Sequence, residues 1–384
     1  MHRNQVIDAF RGIAVLLVML SHLPVETTGI PFVGNLFFYL IRGGWIGVDL
    51  FFVLSGYLVS GLLFIEYKKY NKIDPKRFLI RRGFKIYPSF WVLIIATFVL
   101  HYFKTPGFWA KEKIGFLGEI LFVQNYVGYV WGHTWSLAVE EHFYLLLTFL
   151  FFILAKKEII KLNTIAGIYL ILLVVATFFR VKYSIEANTY SLVKQHYYSH
   201  IRMDALFAGV FLSYCNHFNK EVIARFLKYK AYLIPCALGV ISLNFIYARD
   251  TNWWVPVVML SLNPIAFGFI MVYLLESRGL KNMKSNFLSY IGKYSYSIYL
   301  WHMPVNSLLY ATIFPFVFRK LQIPMNFPFY IICYLFSALI VGIVMSKIIE
   351  YPFLKLRDKV APSVSLKKEI ALNTSKTGNI TVAK

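Results

Sequence analysis

Charge is scarce in this chain, and acidic charge is scarcer still. Of 384 residues only 15% are charged, and 18 Asp and Glu stand against 40 Lys and Arg. A water-soluble domain of this length carries more charge on its surface, so a large soluble enzyme is excluded. The 3 cysteines, Cys215, Cys236 and Cys333, lie in or beside apolar runs and form no Cys-x-x-Cys or Cys/His group. That spacing gives neither a disulfide framework nor a zinc site. No internal repeat or heptad is visible, and inverted repeats are what a secondary transporter shows. No small-residue cleavage site follows the first apolar run, which also holds Asp8 and Arg11. It reads as a retained signal-anchor helix.

What is abundant is apolar length: 58% of the residues are hydrophobic. A bilayer core needs about 20 apolar residues per helix. Runs that meet or approach this lie near 6–23, 44–65, 86–103, 135–155, 164–180, 203–217, 231–247, 255–275, 295–318 and 328–349. The expected fold is therefore all-α, a polytopic transmembrane helix bundle of about ten spans. The formal net charge of +22 does not signal nucleic acid, because the basic residues sit between apolar runs. Lys and Arg concentrate in the N-terminus, the even-numbered loops and the tail, which places both termini in the cytoplasm of a plasma-membrane protein. Residues 1–357 form the membrane domain, and the polar, aperiodic stretch 358–384 reads as a flexible cytoplasmic tail.

Ionisable residues inside spans are costly and need a partner or a wet cavity. Here they fall into two groups by depth. Asp8, Arg11, Arg81, Arg82 and Lys85 lie at the cytoplasmic ends, and His22, Asp49, Glu140, Glu141, His142, Arg202 and Asp204 near the outer ends. Arg11 and His22 are eleven residues apart on one helix, so they share a face and stand about 16 Å apart along the axis. Asp8 is placed to pair with Arg11. Glu140 and Glu141 point about 100° apart, so one is free to work with His22 while the other holds the bundle. The basic cytoplasmic loop from Lys68 to Lys85 is either a topology signal or a seat for the phosphates of a cytoplasmic cofactor. His196 and His200 are four apart, but no third ligand accompanies them and no metal site is expected.

These residues stand in patterns that resemble the acyltransferase-3 family of membrane acyltransferases. The first helix carries an Arg-x10-His motif as Arg11 and His22, and the second reads GVDLFFVLSGYLVSGLL from Gly47 to Leu63. RRGFKIYPSFW precedes the third, from Arg81, and HTWSLAVEEHFYLL opens the fourth, from His133. Arg202-Met203-Asp204-Ala205-Leu206, the run Tyr294 to His302 and Glu350-Tyr351-Pro352-Phe353-Leu354 follow in order. The resemblance implies transfer of an acyl group, most often acetyl, from cytoplasmic acyl-coenzyme A. The acceptor it implies is a hydroxyl of an extracytoplasmic glycan or lipid-linked sugar. The family's Arg-x-x-Arg element for the coenzyme aligns as Arg82-Gly83-Phe84-Lys85, where Lys keeps the charge and loses the bidentate fork. Some members carry a C-terminal esterase-like domain, which is not expected in the short tail here.

Acyl transfer to a hydroxyl needs a base for its proton and stabilisation of the developing charge. His22 is the expected base, acting directly or through an acyl-imidazole, with Glu140, Glu141 or Asp49 orienting its ring. Arg11, Arg81, Arg82 and Lys85 are the expected holders of acetyl-coenzyme A. Ser55, Tyr57 and Trp135 either line its path or pack helices. His302 ranks below His22, as a cross-helix hydrogen-bonding group. Two other readings compete, a proton-coupled transporter using His and Glu as a relay and a non-catalytic membrane component of glycan synthesis.

Overall fold

The computed structural model describes residues 4–24, 34–104, 108–186, 191–277, 286–322 and 326–362. The tail expected from 358 onwards lies outside the described residues from 363 on. The described residues are helical with no strand. The helices that matter here are α1 (Gln5–Ser21), α2 (Ile46–Tyr70), α3 (Pro75–Lys104), α4 (Trp135–Lys156) and α5 (Leu162–Glu186). They are followed by α6 (Met203–Phe218), α7 (Lys230–Ile246), α8 (Leu260–Glu276), α9 (Ser295–Leu308) and α10 (Phe327–Met345).

Each apolar run read from the sequence coincides with one of these helices. Six described helices are long and apolar enough to cross a membrane: Ile46–Tyr70, Pro75–Leu100, Gly132–Lys156, Leu162–Glu186, Val255–Glu276 and Phe327–Val360. Lys220–Lys228 and Lys230–Ile246, bent by 84°, make a seventh if they form one span. By contrast α1 and α6 have 17 and 16 residues, short of the about 20 that a bilayer core asks for, while α9 continues through the wide turn Leu309–Ile313 into Phe314–Leu321.

Local chemistry sets the ends. The Asn4 side chain accepts from the N–H groups of Val6 (3.0 Å) and Ile7 (3.3 Å), capping α1. Asn71, in the left-handed region at φ 51°, stops α2. Asp74 accepts the Arg77 N–H (3.0 Å) and Pro75 takes the first helical position, so α3 starts here. This corrects the reading of Lys68 to Lys85 as one loop. Arg81, Arg82 and Lys85 lie on helix, where Arg82 and Lys85, three apart, share a face and Arg81 is turned away. The last described helix, Tyr351–Val360, runs past the boundary expected at 357, and Arg81 fastens it through Asp358 and the carbonyl of Ala361.

Burial separates a centre from a rim. α2 is mostly enclosed, whereas α5 shows Leu170, Ile171, Val174 and Phe178 to the outside, as a lipid-facing helix does. Helices α2 and α6 pack backbone against backbone. A Cβ on Gly56 would lie 1.8 Å from the Leu206 carbonyl oxygen, and one on Gly209 would lie 2.1 Å from that of Val53. Backbone stands against backbone, so no side chain can move aside. Gly56→Val and Gly209→Val are each expected to cost at least about 3 kcal/mol. The check is thermal unfolding in detergent, and an unchanged melting temperature would contradict this packing.

Candidate active site

Three levels stack along the bundle. The lowest is a cavity of about 1000 Å³ lined by Asn4, Asp8, Arg11, Lys85, Lys293, Tyr294, Lys347, Glu350, Tyr351 and Arg357, among others. A narrower cavity of about 130 Å³ shares Arg11, Leu58 and Lys85 with it and adds Ser55, Arg82, Ser136, Glu140, Tyr144, Ser295, Tyr296 and Tyr299. Above Tyr299 lies a cluster of three imidazoles.

The cationic level is ordered by helix geometry. The Arg11 Nε donates to Ser295 Oγ (3.1 Å), which aims the guanidinium at α9. Lys85 pairs with Glu350, which also accepts from Ser297 Oγ (2.8 Å). The Arg82 guanidinium lies over the rings of Phe78 (5.6 Å) and Tyr144 (5.7 Å). Arg81 lines neither cavity, because its place on α3 turns it to the last helix.

The three acids expected beside His22 are all elsewhere. Glu140 faces the narrow cavity with Arg11 and Arg82 and accepts from Tyr144 OH and Ser55 Oγ (3.3 Å). Glu141 accepts from Tyr87 OH on α3. Asp49 is fully buried and pairs with Arg202, its other oxygen accepting from Asn263 Nδ2 (2.9 Å). The reason is depth. His133, in the turn Gly132–Thr134, reaches the level of His22, and Glu140 lies seven residues further along α4, about 10 Å below. Tyr57 accepts from Asn216 Nδ2 (2.9 Å) beside a separate small cavity, and Trp135 stacks on Tyr197 at 4.6 Å. Of the three path residues expected, Ser55 alone lines the narrow cavity.

His22 caps the C-terminal end of α1 and is half-buried. Its Nδ1 lies 2.8 Å from the Val18 carbonyl oxygen, so Nδ1 carries the proton and Nε2 keeps a lone pair. The His302 Nε2 stands 3.4 Å from the same Nδ1. His302 is itself held by Nδ1–H donating to the Tyr299 carbonyl (2.5 Å). His133 donates from Nε2 to the Leu300 carbonyl (3.1 Å), and its ring centroid is 5.0 Å from that of His302. Asn306 Nδ2 donates to the His22 carbonyl (2.7 Å), tying the end of α1 to α9. A backbone carbonyl and a second imidazole thus occupy the orienting position assigned to a carboxylate.

His22 does not line the narrow cavity. Tyr299 stands between, on the cavity wall with its ring 5.6 Å from that of His302. Its hydroxyl donates to the His133 carbonyl and shares a hydrogen bond with Ser136, both 2.6 Å. Glu119 holds the turn before His133, accepting from Val130 N–H (3.1 Å), Trp131 N–H (3.2 Å) and Thr134 Oγ1 (2.8 Å). Burial pushes its carboxyl up to about 7.

His133, Tyr299, Lys293, Lys347 and Arg357 escaped the sequence reading as site residues. Only His133 and Tyr299 had a signal, as members of the runs opening α4 and building α9. His196 packs between Trp45 (5.0 Å) and Trp135 (5.4 Å), and His200 bonds Tyr126 OH (3.0 Å) and Tyr183 OH (2.9 Å). Both are engaged with aromatic neighbours.

Comparison with known proteins agrees with this arrangement of motifs. The family described as Acyltransferase domain matches residues 4–347. The peptidoglycan O-acetyltransferase OatA of Listeria monocytogenes is 29% identical over 328 residues, 79% of this chain and 49% of that protein. The O-acetyltransferase OatA of Staphylococcus aureus is 28% identical over 324 residues, 78% of this chain and 50% of that protein. The chain thus spans about half the length of these curated relatives. No solved structure matches it. The helical scaffold, the ordered motifs and a match over nearly the whole chain make this protein a member of the acyltransferase-3 family.

Proposed function

We propose that this chain is a plasma-membrane O-acetyltransferase of ten spans with both termini in the cytoplasm. It moves acetyl from cytoplasmic acetyl-coenzyme A to a hydroxyl of an extracytoplasmic glycan or lipid-linked sugar. The single observation that carries this reading is the sequence of levels: a wide basic cavity, a narrow one that shares Arg11 and Lys85 with it, and an imidazole cluster beyond Tyr299.

In this scheme Arg11, Arg82 and Lys85 hold the anionic donor while its thioester arm occupies the narrow cavity. The Tyr299 ring swings aside to admit the thioester to the imidazoles. The acceptor O–H gives its proton to His22 Nε2 as the oxygen attacks the thioester carbonyl. The C–S bond then breaks, the acetyl ester forms, and the thiolate of coenzyme A takes the proton back from Nε2. The Val18 carbonyl and the His302 Nε2 accept from Nδ1–H and stabilise the transient imidazolium. Glu140, bonded to Ser55 and Tyr144, offsets the buried cations around the donor arm.

The test is acetyl-labelled coenzyme A given to membranes, with mass spectrometry of surface glycans from cells with and without the protein. Label in alkali-labile esters and a difference of one acetyl mass are expected. Unlabelled glycans would leave a non-catalytic component, and proton-coupled uptake into vesicles would leave a transporter.

A further inference from the structure

The lowest cavity is much larger than an acyl-pantetheine arm needs, and besides Arg11 and Lys85 it is lined by three cations from other elements. Lys293 ends the helix Phe287–Lys293, Lys347 lies on the wide turn Ser346–Glu350, and Arg357 is on Tyr351–Val360. Two carboxylates, Asp8 and Glu350, share that lining, and Glu350 is engaged by Lys85. Arg357 is paired with its neighbour Asp358. Lys293 and Lys347 are exposed and have no carboxylate within 4 Å among the described residues, Lys293 resting instead on the Tyr294 ring at 5.3 Å. Two exposed lysines lining one cavity, neither in an ion pair among the described residues, suit a dianion, and Lys serves phosphate as a mobile point charge. The exposed ring of Tyr351, with Lys355 Nζ over it at 4.8 Å, lines the same wall and adds an aromatic surface for a planar base.

Shape agrees with charge. Coenzyme A has a bulky end, adenosine with a 3′-phosphate and a diphosphate, and a thin end, the pantetheine arm. The wide cavity of about 1000 Å³ leads into one of about 130 Å³ through Arg11 and Lys85. We propose that this vestibule is the nucleotide seat and that Lys293 and Lys347 read the 3′-phosphate, making the enzyme selective for coenzyme A over its 3′-dephospho form. The inference rests on the donor proposed above.

The experiment compares acetyl-coenzyme A with 3′-dephospho-acetyl-coenzyme A as donors to the same membranes. For the unmodified chain KM is expected to be roughly tenfold to a hundredfold higher for the dephospho donor, with kcat within about twofold. In the variant Lys293→Ala/Lys347→Ala the KM for acetyl-coenzyme A rises to the dephospho value, so the two donors become equal. Lys293→Arg/Lys347→Arg restores the preference and shows that the alanine variant had not merely misfolded. Equal use of both donors by the unmodified chain would overturn the 3′-phosphate seat and leave the acetyltransferase reading intact. Absence of transfer from either donor would overturn that reading itself.

Discussion

Replacing His22 by alanine is expected to lower acetyl transfer by about 10²–10⁴-fold while the protein still inserts and melts as before. The ring is half-buried at the end of a helix, and its Nδ1 contacts are one backbone carbonyl and one neighbouring imidazole. Truncation therefore opens no deep cavity and strands no charge, and what is lost is the Nε2 lone pair. His302→Ala is expected to lower kcat by about tenfold, since the imidazolium loses one of two acceptors and keeps the Val18 carbonyl. His302→Gln, which can place an acceptor near the position of Nε2, should recover part of that loss. The measurement is labelled ester per unit of folded protein, with folding followed by gel filtration in detergent. Normal turnover by His22→Ala would remove the base from the mechanism.

Asp49→Ala is expected to fail in the opposite way, by losing the fold. Asp49 and Arg202 are both fully buried, and the Arg202 guanidinium lies over Phe52 (5.2 Å) and Trp135 (5.6 Å). Arginine cannot shed its charge, so removing the acid leaves a buried, unanswered cation, at a cost of about 3–5 kcal/mol. The pair joins α2 to α6, and Asn263 brings α8 to the same carboxylate. Asp49→Ala should melt much earlier or fail to accumulate, and Asp49→Ala/Arg202→Met should recover part of the stability. A well-folded but inactive Asp49→Ala would return Asp49 to the chemistry, where its expected depth had put it.

The contrast between these two residues shows what was legible beforehand. His22 and Arg11 were placed by helix periodicity, because eleven residues nearly complete three turns and both side chains lie on one face. Arg82 and Lys85 were readable as a cationic pair, although the run that holds them was taken for a loop. Asp49, Glu140 and Glu141 were misplaced because their depth was counted from the ends of apolar runs. The turn Gly132–Thr134 puts His133 rather than Glu140 at the level of His22. Arg81 differs from Arg82 by one residue, and that single step of about 100° sends it to Asp358.

Membership of the lipid phase, helical class and the cationic and imidazole poles on α1 were determined by the sequence alone. Hydropathy and the 3.6-residue period are local properties, carried by each segment whatever its neighbours do. Which acid meets which base was decided by tertiary structure. Contacts such as His22 with His302 and Lys85 with Glu350 join residues far apart along the chain. They depend on how helices pack and on where each turn starts, and a shift of one residue in either redirects a side chain by a quarter of a circle or more.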